Sequence, residues 1–302
     1  SDTGISSIAN YIPRLRLQRK AITDSNAWMA PNLVGKGKGA KAISNWDEDS
    51  VTMSVEASRR ILGPEDDRSH IDSLFFASTT MPYSDRLNSG IIRAALTLKE
   101  TTQCTDVSSS LKSGTTALIN AFNSVNSGKS SLSLVAASDK RKARVASAQE
   151  LNFGDAATAI SISKDNVIAK FIDSASLSID FVDHFRGPNE EFDYNWEERW
   201  IRDEGYLKII PKLINNLLKD NNISPSDISR FILPCIFPRV PQTIAKKTGI
   251  DPDNVVNNLA TSVGDTGSCH PLLMLTSVLE NSTPGEKILV CSFGGGGDAI
   301  LL

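Results

Sequence analysis

Two apolar patterns alternate along this chain. Short apolar runs at 74–78, 132–137 and 288–292 predict strands covered on both faces. Longer stretches with helical spacing lie between them, at 87–98, 114–125, 206–218 and 272–280. Residues 114–125 are small and apolar all round, which predicts a helix buried on most sides. Residues 206–218 carry one apolar face, as a surface helix does. Nearer the start, residues 4–13 predict a strand that stops at Pro13, and residues 21–29 and 49–62 predict helices. The second helix has a start signal. Asp47, Glu48, Asp49 and Ser50 supply acidic and capping groups, and Val51, Val55, Ala57 and Ile61 then share one face. Residues 103–107 add a strand, and 156–163 with 167–175 read as an antiparallel pair closing the first half.

The order of elements repeats. Ile71-Asp72-Ser73-Leu74-Phe75-Phe76 is echoed by Ile228-Ser229-Arg230-Phe231-Ile232-Leu233, an offset of 157 (228 − 71). The helix, the turn at Gly128 and the strand after it are echoed around Gly285 at the same offset, 285 − 128. A third echo, Gly154-Asp155-Ala156 with Gly297-Asp298-Ala299, is offset by 143 (298 − 155), so a deletion separates the halves. A period this long is no solenoid. It predicts two similar α/β halves, residues 1–165 and 166–302, with a site where they meet. The strand–helix–strand order within each half fits right-handed crossovers.

Residues 181–205 break the repeat. They include Asp183-His184-Phe185-Arg186 and Tyr194-Asn195-Trp196, in a chain with only 6% aromatic residues. Such a segment either contacts a ligand or partner or caps the core. Gly35-Lys36-Gly37-Lys38-Gly39 matches no phosphate-loop pattern and reads as a mobile surface loop.

Composition narrows the class. The chain has 302 residues, a net charge of −3 and 40% hydrophobic residues, an ordinary globular balance. It lacks the basic excess of a nucleic-acid binder. No apolar run reaches the roughly 20 residues of a membrane helix, and the N-terminus has no secretory pattern, so a cytoplasmic location is expected. Cys104, Cys235, Cys269 and Cys291 form no Cys-x-x-Cys pair, and His70, His184 and His270 are scattered, so no metal site is expected.

Several motifs agree in order and spacing with one superfamily. They are Ala42 to Ser50, Asp106-Val107-Ser108-Ser109-Ser110-Leu111-Lys112-Ser113-Gly114-Thr115-Thr116, Phe153-Gly154-Asp155 and Gly264-Asp265-Thr266 through His270-Pro271. Together they resemble the thiolase superfamily, on the branch of 3-ketoacyl synthase III and hydroxymethylglutaryl-CoA synthase. The resemblance implies a duplicated thiolase fold in α/β/α/β/α layers, with two mixed five-stranded sheets around buried central helices. It also implies a coenzyme A thioester as substrate, with no other cofactor.

The family's catalytic positions differ here. Its nucleophilic cysteine stands where a helix N-terminus favours a thiolate, and the match puts Leu111 there. The family's histidine would fall near Leu233 or Pro234, and Asp265 stands where it has asparagine. What remains is Ser110, with no evident base; Cys235, near the lost histidine; and Asp265 with His270, which either cap and brace the helix start or act as acid and base. Gly294, Gly295 and Gly296 either frame an acyl-sized pocket, as the resemblance implies, or make a plain turn.

The expected function is a hydroxymethylglutaryl-CoA-synthase-like subunit without its own nucleophile, in a complex that makes or breaks a C–C bond beside a thioester. The family resemblance implies as partners an active thiolase-type subunit and a zinc-ribbon/OB-fold protein, with dimer pairing through the strand at 103–108. The alternative is an independent acyltransferase or lyase using Asp265 and His270. A scaffold without a pocket would have the space between residues 111, 235, 265 and 294 filled.

Overall fold

The computed structural model describes residues 2–63 and 68–302. In chain order the first half runs β1 (Gly4–Tyr11), β2 (Leu15–Gln18), α1 (Arg19–Asn26), β3 (Ala40–Ile43), α2 (Ser50–Ile61), β4 (Ile71–Ala77), α3 (Asn88–Ala95), β5 (Gln103–Val107), α4 (Ser113–Asn126), β6 (Leu132–Asp139), α5 (Ala148–Asn152) and β7 (Ala156–Ser163). After it come β8 (Ala169–Lys170), β9 (Asp173–Ser178), β10 (His184–Phe185), β11 (Tyr194–Asn195), α6 (Glu198–Trp200), α7 (Leu207–Asp220), β12 (Ile228–Ile232), α8 (Val240–Thr248), α9 (His270–Leu279), β13 (Lys287–Phe293) and β14 (Gly296–Leu301). The helix start at Asp49 is a full capping box. Its carboxylate accepts from Thr52 N, and the Thr52 hydroxyl accepts from Asp49 N.

Two mixed sheets carry the fold, in the orders β5-β4-β6-β7-β1-β8 and β12-β13-β14-β9. In each, a parallel pair (β4 with β6, β12 with β13) continues into antiparallel neighbours. The strands at Leu74 and Phe231, 157 positions apart, therefore take corresponding places. The strand counts are six and four rather than five and five. Where β5 lies beside β4, the second sheet has only a parallel bridge from Phe231 to Val255, so that strand is reduced to one pairing.

The antiparallel pair expected from 156–163 and 167–175 does not form. β7 pairs instead with β6 and β1. The second segment divides at Phe171: Phe171 N donates to Thr3 O in the first sheet, and Ile172 N donates to Leu301 O in the second. The Phe171 ring is buried and stacks on Phe122 at 4.2 Å. Burying that ring between the sheets is what turns the chain from one to the other.

Helices α4 and α9 share one apolar core between the sheets. Gly114 lets them approach: a Cβ there would collide with the Ser268 carbonyl. The Lys-Gly segment is docked rather than mobile. Pro31–Lys36 is a 3-10 turn, and Gly39, at φ +86°, lies against Thr261, its carbonyl accepting from Arg19 N. None of the described helices is long and apolar enough to cross a membrane.

Candidate active site

The site lies where α4 and α9 begin. The turn into α4 is strained, with Ser109 at φ 70°, a left-handed conformation rare for a side-chain-bearing residue and common near functional sites. Ser110 locks this turn: its Oγ donates to Gly294 O at 2.8 Å and accepts from Lys112 N at 3.1 Å. Gly294 must be glycine, because a Cβ there would stand 2.6 Å from Ser110 Oγ and 3.0 Å from Leu111 N. Gly296, at φ 110°, pairs with Ser178 in β9 rather than facing the site, and Gly295 is exposed at the rim. Leu111 is half-buried just ahead of α4.

Behind Leu111 is a cavity of about 50 Å³ bounded by Leu111, Tyr206, Cys235, Asp265, His270 and Phe293, among others. A π-helical turn, Ile201–Tyr206, delivers Tyr206 into its wall, stacked on Phe293 at 4.2 Å. Of the positions expected near the histidine, Leu233 is buried in the core, Pro234 is in the wall, and the side chain between cavity and channel is that of Cys235. Burial pushes the Cys235 thiol up to about 12, so it stays protonated. Cys104, Cys269 and Cys291 are free thiols, and none of them borders this cavity.

Asp265 and His270 meet at this cavity. Asp265 is not the cap of α9. It sits ahead of a 3-10 turn, Gly267–Cys269, and accepts from Gly267 N at 3.0 Å, while Asp139 Oδ2 accepts from Ser268 N at 2.8 Å. The physical reason is that the extra turn displaces α9 by three residues from Asp265. Arg141 pairs with Asp265 at 3.0 Å, donates to its carbonyl at 2.8 Å and lies 3.8 Å from the Phe153 ring centroid. Burial disfavours the Asp265 charge, but Arg141, His270 and the Gly267 N–H outweigh it and hold the carboxyl below its usual range.

Both ring nitrogens of His270 are engaged. Thr266 N donates to Nδ1 at 3.1 Å, so Nε2 carries the proton and donates to Asn258 O at 2.6 Å. Burial, opposed by Asp265, keeps the ring's pKa below its usual value. A neutral buried histidine must charge as pH falls, so its contribution to stability is lost on acidification below the ordinary histidine range. NMR should therefore find His270 neutral and Nε2-protonated at pH 6.5. A ring that is charged at that pH would contradict this geometry.

Two larger spaces flank the small cavity. On one side is a channel of about 680 Å³ lined by Arg19, Lys36, Arg239, Phe237, Cys235 and Asp265, among others. On the other is a groove of about 830 Å³ between the Ser108–Leu111 turn and the segment that breaks the repeat. Arg186 braces that segment, pairing with Asp193 at 2.6 Å and donating to Thr79 O. Asp183 hydrogen-bonds His184 at 3.1 Å. Burial alone would lower the His184 pKa, but this partner raises it. The space between residues 111, 235, 265 and 294 is thus nearly filled, with open volume on both sides.

Arg141, Tyr206 and Asn258 were not among the sequence candidates. Arg141 belongs to the run Asp139-Lys140-Arg141-Lys142, which reads as a solvated turn. Its only sequence signal is that the run directly follows a strand apolar on both faces.

The fold is shared with solved structures. A hydroxymethylglutaryl-CoA synthase complexed with coenzyme A superposes with a TM-score of 0.85 and 20% identity, over 99% of this chain and 81% of that one. The 3-oxoacyl-(acyl carrier protein) synthase III of Pseudomonas aeruginosa PAO1 does so with a TM-score of 0.85 and 17% identity, over 99% and 97%. This is the thiolase-like fold. The model of the 3-oxoacyl-[acyl-carrier-protein (ACP)] synthase III C terminal matches residues 218–300 of this thiolase-like chain. In sequence it is similar to the hydroxymethylglutaryl-CoA synthase of Picrophilus torridus, with 28% identity over 97% of the chain and 84% of the relative. The corresponding protein of Aeropyrum pernix is 27% identical over 98% and 82%.

Proposed function

We propose that this chain is a hydroxymethylglutaryl-CoA-synthase-like subunit that holds a coenzyme A thioester without forming a covalent bond to it. The observation that carries this reading is the leucine at residue 111. A leucine side chain can neither ionise nor take an acyl group. Ser110 Oγ is committed to Gly294 O and Lys112 N, and the Cys235 thiol is protonated. The channel suits coenzyme A: Arg19, Lys36 and Arg239 supply charge for its phosphates, and Phe237, Ile236 and Val255 supply apolar wall.

A thioester bound this way serves a reaction completed elsewhere. In this reading the chain works beside an active thiolase-type subunit and a zinc-ribbon/OB-fold protein, in a complex that makes or breaks a C–C bond next to the thioester. Strand β5 is at the edge of the first sheet, and an edge strand is a natural place for a second copy to pair. Pull-down from the native host identifies the partners. Intact-mass spectrometry after incubation with acetyl-CoA or acetoacetyl-CoA tests the chemistry. The expected mass is that of the unmodified chain, and a stoichiometric acetyl adduct refutes the proposal.

A further inference from the structure

We propose that Leu111 is the wall that limits acyl length in this chain, admitting a two-carbon acyl group and stopping longer ones. This rests on the reading that the channel takes a coenzyme A thioester. Three spaces lie in series. Cys235, Ile236, Asn258, Ala260 and Asp265 border both the channel and the 50 Å³ cavity, so the two are neighbours through these residues. Among the described residues, Leu111 alone borders both that cavity and the 830 Å³ groove beyond.

Sizes decide what fits. An apolar cavity of about 150 Å³ holds a benzene ring, so one of about 50 Å³ holds only a few non-hydrogen atoms, about an acetyl group. An eight-carbon chain has to pass Leu111 to reach the groove, where Phe181, Phe185, Trp196 and Trp200 would receive it. The wall cannot swing aside through its backbone. Leu111 N is packed against Gly294, and the Ser110–Gly294 hydrogen bond holds the turn from the same side. The stacked Tyr206 and Phe293 rings form another part of the cavity wall. The residue that removes the nucleophile would thereby also set the substrate.

Calorimetric titration of the full chain with free coenzyme A, acetyl-CoA and octanoyl-CoA tests this. The wild-type chain should bind acetyl-CoA at least tenfold more tightly than octanoyl-CoA. Leu111→Ala should shift that ratio at least tenfold toward octanoyl-CoA. Equal affinity for the two thioesters in the wild type overturns the inference, as does an unchanged ratio in a folded variant. If Leu111→Ala does not fold, Leu111→Val takes its place, with a shift of about threefold in the same direction expected and no shift overturning the inference. Free coenzyme A separates the two levels. If it binds but acyl length makes no difference, the wall falls and the channel reading stands. If neither coenzyme A nor any thioester binds, both fall.

Discussion

Arg141→Met should destabilise the folded chain by about 3 to 5 kcal/mol, the usual cost of removing one partner from a buried ion pair. The Arg141 side chain is only 3% exposed, and it faces two carboxylates. Asp265 would lose its ion pair, and the backbone carbonyl of Asp265 would lose a donor. Asp139 keeps Ser78, Thr79, Thr80 and Ser268 as donors but loses the attraction of Arg141. Urea denaturation is the measurement, and a loss below about 1 kcal/mol would show that the pair is idle. Adding Asp265→Asn to Arg141→Met should recover part of the loss, because the stranded charge is then gone. The pair also fixes an acid limit. Since the folded state holds the Asp265 carboxyl below its usual range, its contribution is complete above about pH 4. It is lost as pH falls through the lower folded value.

Gly114→Ala should cost about 3 kcal/mol, at the upper end for overpacking. The added methyl meets the Ser268 carbonyl, which is backbone and has no rotamer to yield. Relief requires moving α4 away from the 3-10 turn that leads into α9, and α4 and α9 pack together in the core shared by both halves. At about 2.1 cal/mol/K of unfolding entropy per residue, the loss in this chain corresponds to a melting temperature lower by roughly 5 °C. Gly128→Ala is the matched control. It too lies in the first half and has open space around it, but its φ of +75° makes a substitution strained. A Gly114→Ala effect no larger than that of Gly128→Ala would mean that the helices can separate cheaply.

The elements of this fold were written in the chain as periodicity. The apolar strands and the buried helix at 114–125 announce themselves, and the 157-residue echo pairs the halves. What periodicity does not encode is partner choice. The alternation at 167–175 is the same whether the segment joins one sheet or two, and only the depth of Phe171 divides it. The missing strand beside β12 left little trace either, since Val255 and Val256 are a short apolar run. At the site, motif spacing led to Leu111, Asp265 and Gly294. Arg141 stayed hidden because its neighbours Lys140 and Lys142 make it look solvated. Tyr206 stayed hidden because it reads as the first residue of an amphipathic helix, and the π turn that redirects it has no sequence signature.

The placement of β1 has a kinetic consequence. Gly4 pairs with Ser163 and Lys170, and Tyr11 pairs with Ala157. During synthesis this strand waits for its neighbours, which follow it by 146 (157 − 11) to 166 (170 − 4) residues. Until then its apolar residues have no sheet to join, and the β7 edge, when it arrives, is open to any passing strand. Contacts this distant in sequence also slow closure. A variant lacking residues 1–12 should therefore reveal itself less by weaker packing than by clumping during synthesis.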